Sequence, residues 1–151
     1  MRYFDEESSK ILGKCHPLLR IIAEDSIKIT KFTVIEGLRT LKDQKQLLEK
    51  GKVRSLKSKH LPTQTCQASR AFHLLPYPFK YPEDFKNKER FSILAGVIIA
   101  TGKKYNTDII WGGDWNQTFD PKKTKKYNGV HFELACDYYE DDISLRRHLN
   151  G

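Results

Sequence analysis

Residues 128–134 read Asn128-Gly129-Val130-His131-Phe132-Glu133-Leu134, which places a histidine on a short run with β-strand character. Val130 and Phe132 are the β-branched and aromatic residues of that run, which predicts a last strand over 130–135. A histidine in such a place binds a metal only together with partners. Upstream, the chain offers His60 and His73. The sequence therefore raises the question of whether these three rings meet at one ion.

The size and composition of the chain predict one globular domain over residues 1–151. A chain of 151 residues buries about two thirds of its unfolded surface in a single core. The longest apolar run, Ile93–Ala100, is too short to span a bilayer and indicates a buried helix. The N-terminus does not have the pattern of a signal peptide, so we expect synthesis in the cytoplasm. Three cysteines without CxxC spacing argue against a disulfide framework and a thiolate zinc cluster.

The net charge of +8 predicts attraction to polyanions that weakens with salt. Nucleic acid, anionic lipid and the acidic polymers of a bacterial wall all fit this charge. The densest basic run, residues 122–126, follows a proline and has no interleaved aromatic residues, which is typical of a solvated loop. Nothing in the sequence except the net charge supports nucleic-acid binding. We therefore do not expect nucleic acid as a partner.

Hydrophobic periodicity predicts helices alternating with a few short strands. The predicted elements are a short turn before a helix from His16 to about Asp25 with Pro17 in its first turn, a strand from Ile27 to Glu36, a helix from Leu41 to Lys50, a loop over 51–70, a strand from Ala71 to Leu75, a helix from Pro82 to Tyr105, strands at Asp108–Trp111 and Val130–Ala135, and a C-terminal helix from Tyr138 to Leu149. This order predicts an α+β fold with a small, mostly antiparallel sheet flanked by helices and a metal at its surface. An HExxH motif is absent.

Five motifs occur in the order found in one peptidase family. They are Ile35-Glu36-Gly37-Leu38-Arg39-Thr40, Ser58-Lys59-His60-Leu61, residues 69–78 (Ser-Arg-Ala-Phe-His-Leu-Leu-Pro-Tyr-Pro), Trp111-Gly112-Gly113-Asp114-Trp115 and Val130-His131-Phe132-Glu133-Leu134. Over residues 8–135 the chain resembles phage endolysins of the L-alanyl-D-glutamate peptidase type, relatives of the D-alanyl-D-alanine carboxypeptidases. The resemblance implies a Hedgehog/D-Ala-D-Ala-peptidase-like fold, with 136–151 as a tail or short helix.

The resemblance also implies a zinc site, with departures from the family pattern. His60 and His131 match the first and last zinc ligands of the family, and His73 stands where the family has an aspartate. The segment between His60 and His73 is six residues longer than in the family, and Ser69 replaces a glycine. Asn128 occupies the position of the acidic general base.

These departures affect the metal and the base differently. Three histidines form a known ligand set of catalytic zinc, so zinc binding by His60, His73 and His131 is expected. An asparagine does not take a proton at neutral pH, whereas a positioned general base contributes about 10²- to 10⁴-fold in rate. The candidate substitutes are Asp114, Asp120 and Glu133. We favour Asp120, because its long loop allows it to fold back over the metal.

Other residues are candidates for substrate or metal binding. Arg39 resembles the substrate-side arginine of the family, and its guanidinium suits a peptide carboxylate; a helix-start arginine in a surface salt bridge is an equal alternative. Trp111 and Trp115 are candidates to line a cleft, although tryptophans more often pack in cores. Cys66 is a candidate thiolate ligand or an ordinary loop thiol.

Taken together, the resemblance implies a monomeric zinc peptidase that cuts the peptide stem of bacterial peptidoglycan. It would be made in the host cytoplasm and act at the cell wall. The alternative is a catalytically impaired relative that serves as a wall-binding or interaction module.

Overall fold

The computed structural model describes residues 3–137. Its helices are α1 (Glu6–Leu12), α2 (Pro17–Ile29), α3 (Leu41–Glu49) and α4 (Lys88–Lys104), its strands are β1 (Phe32–Glu36), β2 (Ala71–Pro76), β3 (Ile109–Trp111) and β4 (His131–Leu134), and two 3₁₀ turns cover Glu83–Lys86 and Pro121–Lys123. The C-terminal helix predicted at Tyr138–Leu149 lies outside the described residues. No helix in the described range has the length and apolar character needed to cross a membrane.

The four strands form one sheet in the order β1-β2-β4-β3, and each neighbouring pair is antiparallel. The expected α+β fold with a small antiparallel sheet is therefore confirmed. The register places His73 opposite His131 on the β2–β4 pair. On the other side of β2, an irregularity between Val34 and Glu36 brings Glu36 opposite His73. Strand pairing thus gathers residues that are far apart in sequence.

Alternation along β2 and β4 separates the core from the site. Phe72, Leu74, Phe132 and Leu134 are fully buried and face the helices. Because successive side chains of a strand point to opposite faces, the residues between them occupy the other face of the sheet. The core is completed by apolar side chains of α2 and α4, which pack against each other.

Three predicted elements have wrong bounds. Where a short turn was predicted before His16, the structure has the seven-residue helix α1, capped by Asp5. The strand predicted from Ile27 begins only at Phe32, because α2 continues to Ile29. Ile27 is buried at a helical spacing from Ala23, and a run of β-branched residues alternates whether it is helical or extended. The helix predicted from Pro82 begins at Lys88, after a separate 3₁₀ turn, since Asn87 caps it.

The predicted start of α2 is confirmed. Pro17 occupies the first turn, where its missing N–H is not needed. The Nδ1 atom of His16 accepts a hydrogen bond from the backbone N–H of Leu18 at 3.1 Å. His16 is thus a buried capping residue.

Candidate metal centre

Three histidines from three segments converge on the polar face of the sheet. His60 lies in the long loop between α3 and β2, His73 lies in the middle of β2, and His131 begins β4. The Nε2 atoms of His60 and His73 are 3.0 Å apart, and the Nε2 atom of His73 is 3.1 Å from Nδ1 of His131. These three atoms lie within 4.8 Å of one another, a grouping that is compatible with a metal site.

The outer nitrogen of each ring has a hydrogen-bond acceptor. Nδ1–H of His60 donates to the backbone oxygen of Gly37 at 2.7 Å. Nδ1–H of His73 donates to a carboxylate oxygen of Glu36 at 3.0 Å, and Nε2–H of His131 donates to Glu133 at 3.0 Å. Since these partners only accept, the outer nitrogens carry the ring hydrogens.

This arrangement aims three lone pairs at one point. A neutral imidazole that is protonated on its outer nitrogen has its lone pair on the inner one. Inner nitrogens at 3.0 and 3.1 Å do not satisfy each other as acceptors, and this arrangement is compatible with a cation between them. Metal-ligating histidines typically donate their other N–H to a carboxylate or carbonyl, as all three rings do here.

Burial keeps two of these rings neutral. Burial and the neighbouring His73 lower the pKa of His60 to about 3, although its bond to Gly37 opposes this shift. Burial also lowers the pKa of His73, against the opposing effect of Glu36. Neutral rings are the form that binds a metal, because protonation removes the ligating lone pair.

Glu36 and Glu133, the carboxylates that accept hydrogen bonds from these rings, are also paired with cationic side chains: Glu36 with Arg39 and Glu133 with Lys59. Burial alone would raise the pKa of Glu36, but hydrogen bonds from His73 and Arg39 outweigh it and lower that pKa to about 2. Glu133 behaves alike: burial is outweighed by bonds from His131 and Lys59, so its pKa is lowered. Both carboxylates are therefore ionised at neutral pH, and they place negative charge behind two of the rings.

Arg39 is paired with Glu36, the carboxylate that also contacts His73. Its side chain is only 8% exposed, and its Nε–H donates to Glu36 at 2.6 Å. One terminal nitrogen donates to the side-chain oxygen of Gln44 at 2.6 Å, and the other contacts Glu36 as well. Arg39 thus forms a salt bridge, as the alternative prediction had it, although the arginine is buried and Glu36 is half-buried.

The predicted base positions lie in different places. Asn128 lines the same cavity as the three histidines. The carboxylate of Asp114 accepts hydrogen bonds from Thr118 and Phe119, which lower its pKa despite burial, and it lines a separate small cavity. Asp120 caps the 3₁₀ turn at Pro121–Lys123 and does not line the histidine cavity.

The two tryptophans have different surroundings. Trp111 is buried, stacks on Phe132 and donates its indole N–H to the backbone oxygen of Gly129 at 2.7 Å. Trp115 is half-buried, lines the histidine cavity, and its ring centroid lies 5.2 Å from that of His131. Glycine at position 112 allows the backbone of this turn to lie close to Asn128, because a Cβ there would collide with the backbone oxygen of Asn128.

The cavity in front of the histidines has a volume of about 470 Å³. Its lining comprises Glu36, Arg39, Gln44, Leu47, Lys52, Val53, Arg54, Ser55, Lys57, Ser58, His60, His73, Trp115, Asn128 and His131. Cys66 is absent from this lining, and its thiol lies nearest the backbone oxygen of Ala68 at 3.5 Å. The long loop after α3 therefore contributes to the site through residues 52–60.

Sequence reasoning missed the partners of the rings. Glu36 and Lys59 each stand in a motif that was singled out. The contact of Glu36 with His73 depends on strand register, and that of Lys59 with Glu133 depends on how the loop after α3 packs against β4. The only sequence signal was their place in those motifs.

The α+β fold and the three histidines that converge beside an open cavity are compatible with a metal-dependent hydrolase. A comparison with family models matches residues 1–135 to the phage L-alanyl-D-glutamate peptidases. The chain belongs to this peptidase family, which confirms the resemblance seen in the sequence motifs.

A solved structure shows the same fold. The crystal structure of Serratia marcescens L-Ala D-Glu endopeptidase ChiX superimposes with a TM-score of 0.68 at 20% identity, covering 87% of this chain and 89% of that chain. A search of curated proteins finds no match at the threshold applied.

Proposed function

We propose that this chain is a zinc-dependent peptidase that hydrolyses the L-alanyl-D-glutamate bond, or a closely related bond, in the peptide stem of bacterial peptidoglycan. Membership of the peptidase family supports the reaction class. The relative with a solved structure is named an L-Ala D-Glu endopeptidase, which supports the choice of bond.

The observation that carries the proposal is the convergence of three histidine lone pairs. His60 and His73 would hold the ion through Nε2, and His131 would hold it through Nδ1. An all-imidazole set suits zinc and disfavours magnesium and calcium, which prefer oxygen ligands. When bound, zinc supplies Lewis-acid polarisation of the scissile carbonyl and activation of water.

The protein residues around the centre orient the ligands and shape the cavity. Glu36 and Glu133 fix the orientation of two ligand rings, and Gly37 fixes that of the third. The ring of Trp115 lies next to that of His131, with the centroids 5.2 Å apart. Asn128 offers an amide that positions a water or a substrate carbonyl by hydrogen bonding but does not remove a proton.

A wall-digestion experiment tests the proposal. Purified peptidoglycan is incubated with the zinc-loaded chain, and newly exposed amino groups are quantified and identified by mass spectrometry. We expect new amino-terminal glutamate with the wild type and none with His131→Ala or after chelation. If no new amino groups appear with the wild type at any enzyme concentration, the peptidase proposal is wrong.

A second candidate function is a wall-binding relative with impaired catalysis. The observation that favours it is the amide of Asn128 at the base position, together with the engagement of Asp114 and Asp120 in their own turns. In that case wild-type chain would bind peptidoglycan without releasing amino groups, whereas Asn128→Asp would release them.

A further inference from the structure

One wall of the histidine cavity carries three cationic side chains. It is formed by residues 52–57, which we call the basic arm, and its lining includes Lys52, Arg54 and Lys57. Within residues 3–137 no ion pair involves these three side chains. The one carboxylate that lines the same cavity, Glu36, is already paired with Arg39 and His73. The arm therefore presents uncompensated positive charge to whatever occupies the cavity.

The backbone of the basic arm is anchored at two points, and a third hydrogen bond lies just after the arm. The N–H of Lys52 donates to the backbone oxygen of Leu47 at 2.9 Å, which ties the start of the arm to α3. The side-chain amide of Gln44, which is 1% exposed, donates to the backbone oxygen of Ser55 at 2.9 Å. Just after the arm, Ser58 accepts a hydrogen bond from the N–H of His60 at 3.1 Å. The arm is thus held in place relative to a metal ligand.

Arg39 supports the arm instead of competing with it. Its guanidinium donates to Gln44 on one side and to Glu36 on the other. A substrate carboxylate would have to displace Glu36, which also holds His73, to reach this arginine. The side chains of the basic arm reach the same cavity without breaking any contact within the described residues.

We propose that the basic arm binds the free carboxylate of the residue on the carboxyl side of the scissile bond. This inference rests on the proposed function. A glutamyl residue within a peptide uses one carboxyl group for the chain and keeps the other, so the substrate carries an anion next to the bond that is cut. The guanidinium of Arg54 binds both oxygens of a carboxylate in its fork, and the two lysines add point charges.

The test compares two uncleavable ligands on the zinc-loaded full chain. The first probe is the dipeptide γ-D-glutamyl-L-lysine, in which the α-carboxylate of the glutamyl residue is free. The second is the same dipeptide with that glutamyl α-carboxylate converted to an amide. Binding is followed by NMR titration. The arm variant combines Lys52→Gln, Arg54→Gln and Lys57→Gln. The control variant combines Lys42→Gln, Lys45→Gln and Lys50→Gln, which remove the same charge from exposed positions outside the cavity.

We expect the wild type and the control variant to bind the acid dipeptide at least about tenfold more tightly than the amide, and the arm variant to bind both within about a factor of two. The proposal is overturned if the wild type does not bind the acid or does not distinguish the two probes. It is also overturned if the arm variant keeps the preference, or if the control variant loses it equally, because the effect would then come from net charge. Hydrolysis of peptidoglycan is measured separately, so a failure of the peptidase proposal is recognised independently of this binding result.

Discussion

We expect the identity of residue 128 to affect the rate of peptidoglycan hydrolysis strongly. The side chain of Asn128 lines the histidine cavity, while its backbone N–H donates to Gly112 at 2.8 Å and its backbone oxygen accepts from His131 at 3.2 Å. The backbone contacts hold the loop beside the centre, and they do not depend on the side chain. The amide can therefore be exchanged for a carboxylate without disturbing the fold.

Asn128→Asp is expected to raise the rate of peptidoglycan hydrolysis by about 10²-fold, the lower end of what a positioned general base contributes. The change supplies a proton acceptor at the position where the family has one. Release of amino groups under saturating zinc measures the rate, and Asn116→Asp is a matched control on the neighbouring exposed loop. A rate that is unchanged or lower in Asn128→Asp would show that this position does not act as a base.

We expect Glu36 to act by positioning His73, whose Nδ1 it contacts at 3.0 Å. Replacing it by alanine removes the acceptor of the His73 Nδ1–H and frees the ring to change its tautomer. We expect zinc affinity to fall by about 10- to 100-fold, as is usual when the outer partner of a ligating histidine is lost. Competition with a chromophoric chelator measures this affinity. Glu49→Ala, at the exposed end of α3, should bind zinc like the wild type, and an equal affinity in Glu36→Ala would refute the role.

At the scale of elements, strand register assembles the site. His73 and His131 form a pair across β2 and β4, and the irregularity in β1 places Glu36 beside His73. The sequence predicted the strands that carry both histidines, because alternation and β-branched residues are local signals. Register and bulges are set by contacts between distant segments, so the sequence did not reveal Glu36 as a partner. For the same reason it did not reveal that Arg39 faces Glu36 and Gln44.

A second contact between elements joins α2 to the end of α4. The carboxylate of Asp25 in α2 accepts a hydrogen bond from the hydroxyl of Tyr105 and contacts Lys28 and Lys104. Burial alone would raise the pKa of Asp25, but these bonds outweigh it and lower that pKa to about 2. This carboxylate therefore stabilises the folded state in its ionised form.

The stability from Asp25 should depend on pH in the acid range. Its unfolded pKa is about 3.9, so the stabilisation is complete above roughly pH 5 and is lost as the pH falls towards 2. We expect Asp25→Asn to lower the free energy of unfolding by about 1 kcal/mol at neutral pH and by much less at the acid end. Urea unfolding at several pH values measures the difference. Glu24→Gln, an exposed neighbour with the same change in charge, should show no such trend, and a loss for Asp25→Asn that is independent of pH would contradict the assignment.

At the scale of the whole molecule, the net charge of +8 favours association with an anionic wall. We expect binding to purified peptidoglycan sacculi that carry anionic polymers to weaken as ionic strength rises to about 1 M, where the Debye length is about 3 Å. Co-sedimentation measures the bound fraction, and sacculi stripped of anionic polymers serve as the control. Binding that is equal for both sacculi at low salt would mean that charge does not guide the protein to the wall.

Composition and motifs together predicted the fold class and the family correctly. They also singled out the three histidines, whose side chains the fold brings together. No local sequence pattern encodes the tertiary contacts that orient the rings. The same holds for the pairing of Glu36 with Arg39 and of Glu133 with Lys59, and for the position of the basic arm. The extent of the single domain and the monomeric state stay predictions.

The central claim is that His60, His73 and His131 form one zinc site, and equilibrium zinc titration of the purified full chain tests it most directly. The account predicts one zinc ion per wild-type chain, retained binding in His73→Asp, which carries the ligand type of the family, and a loss in His73→Ala greater than the ~100-fold caused by losing an outer partner. No zinc bound to the wild type, or equal affinity in the wild type and His73→Ala, would contradict it.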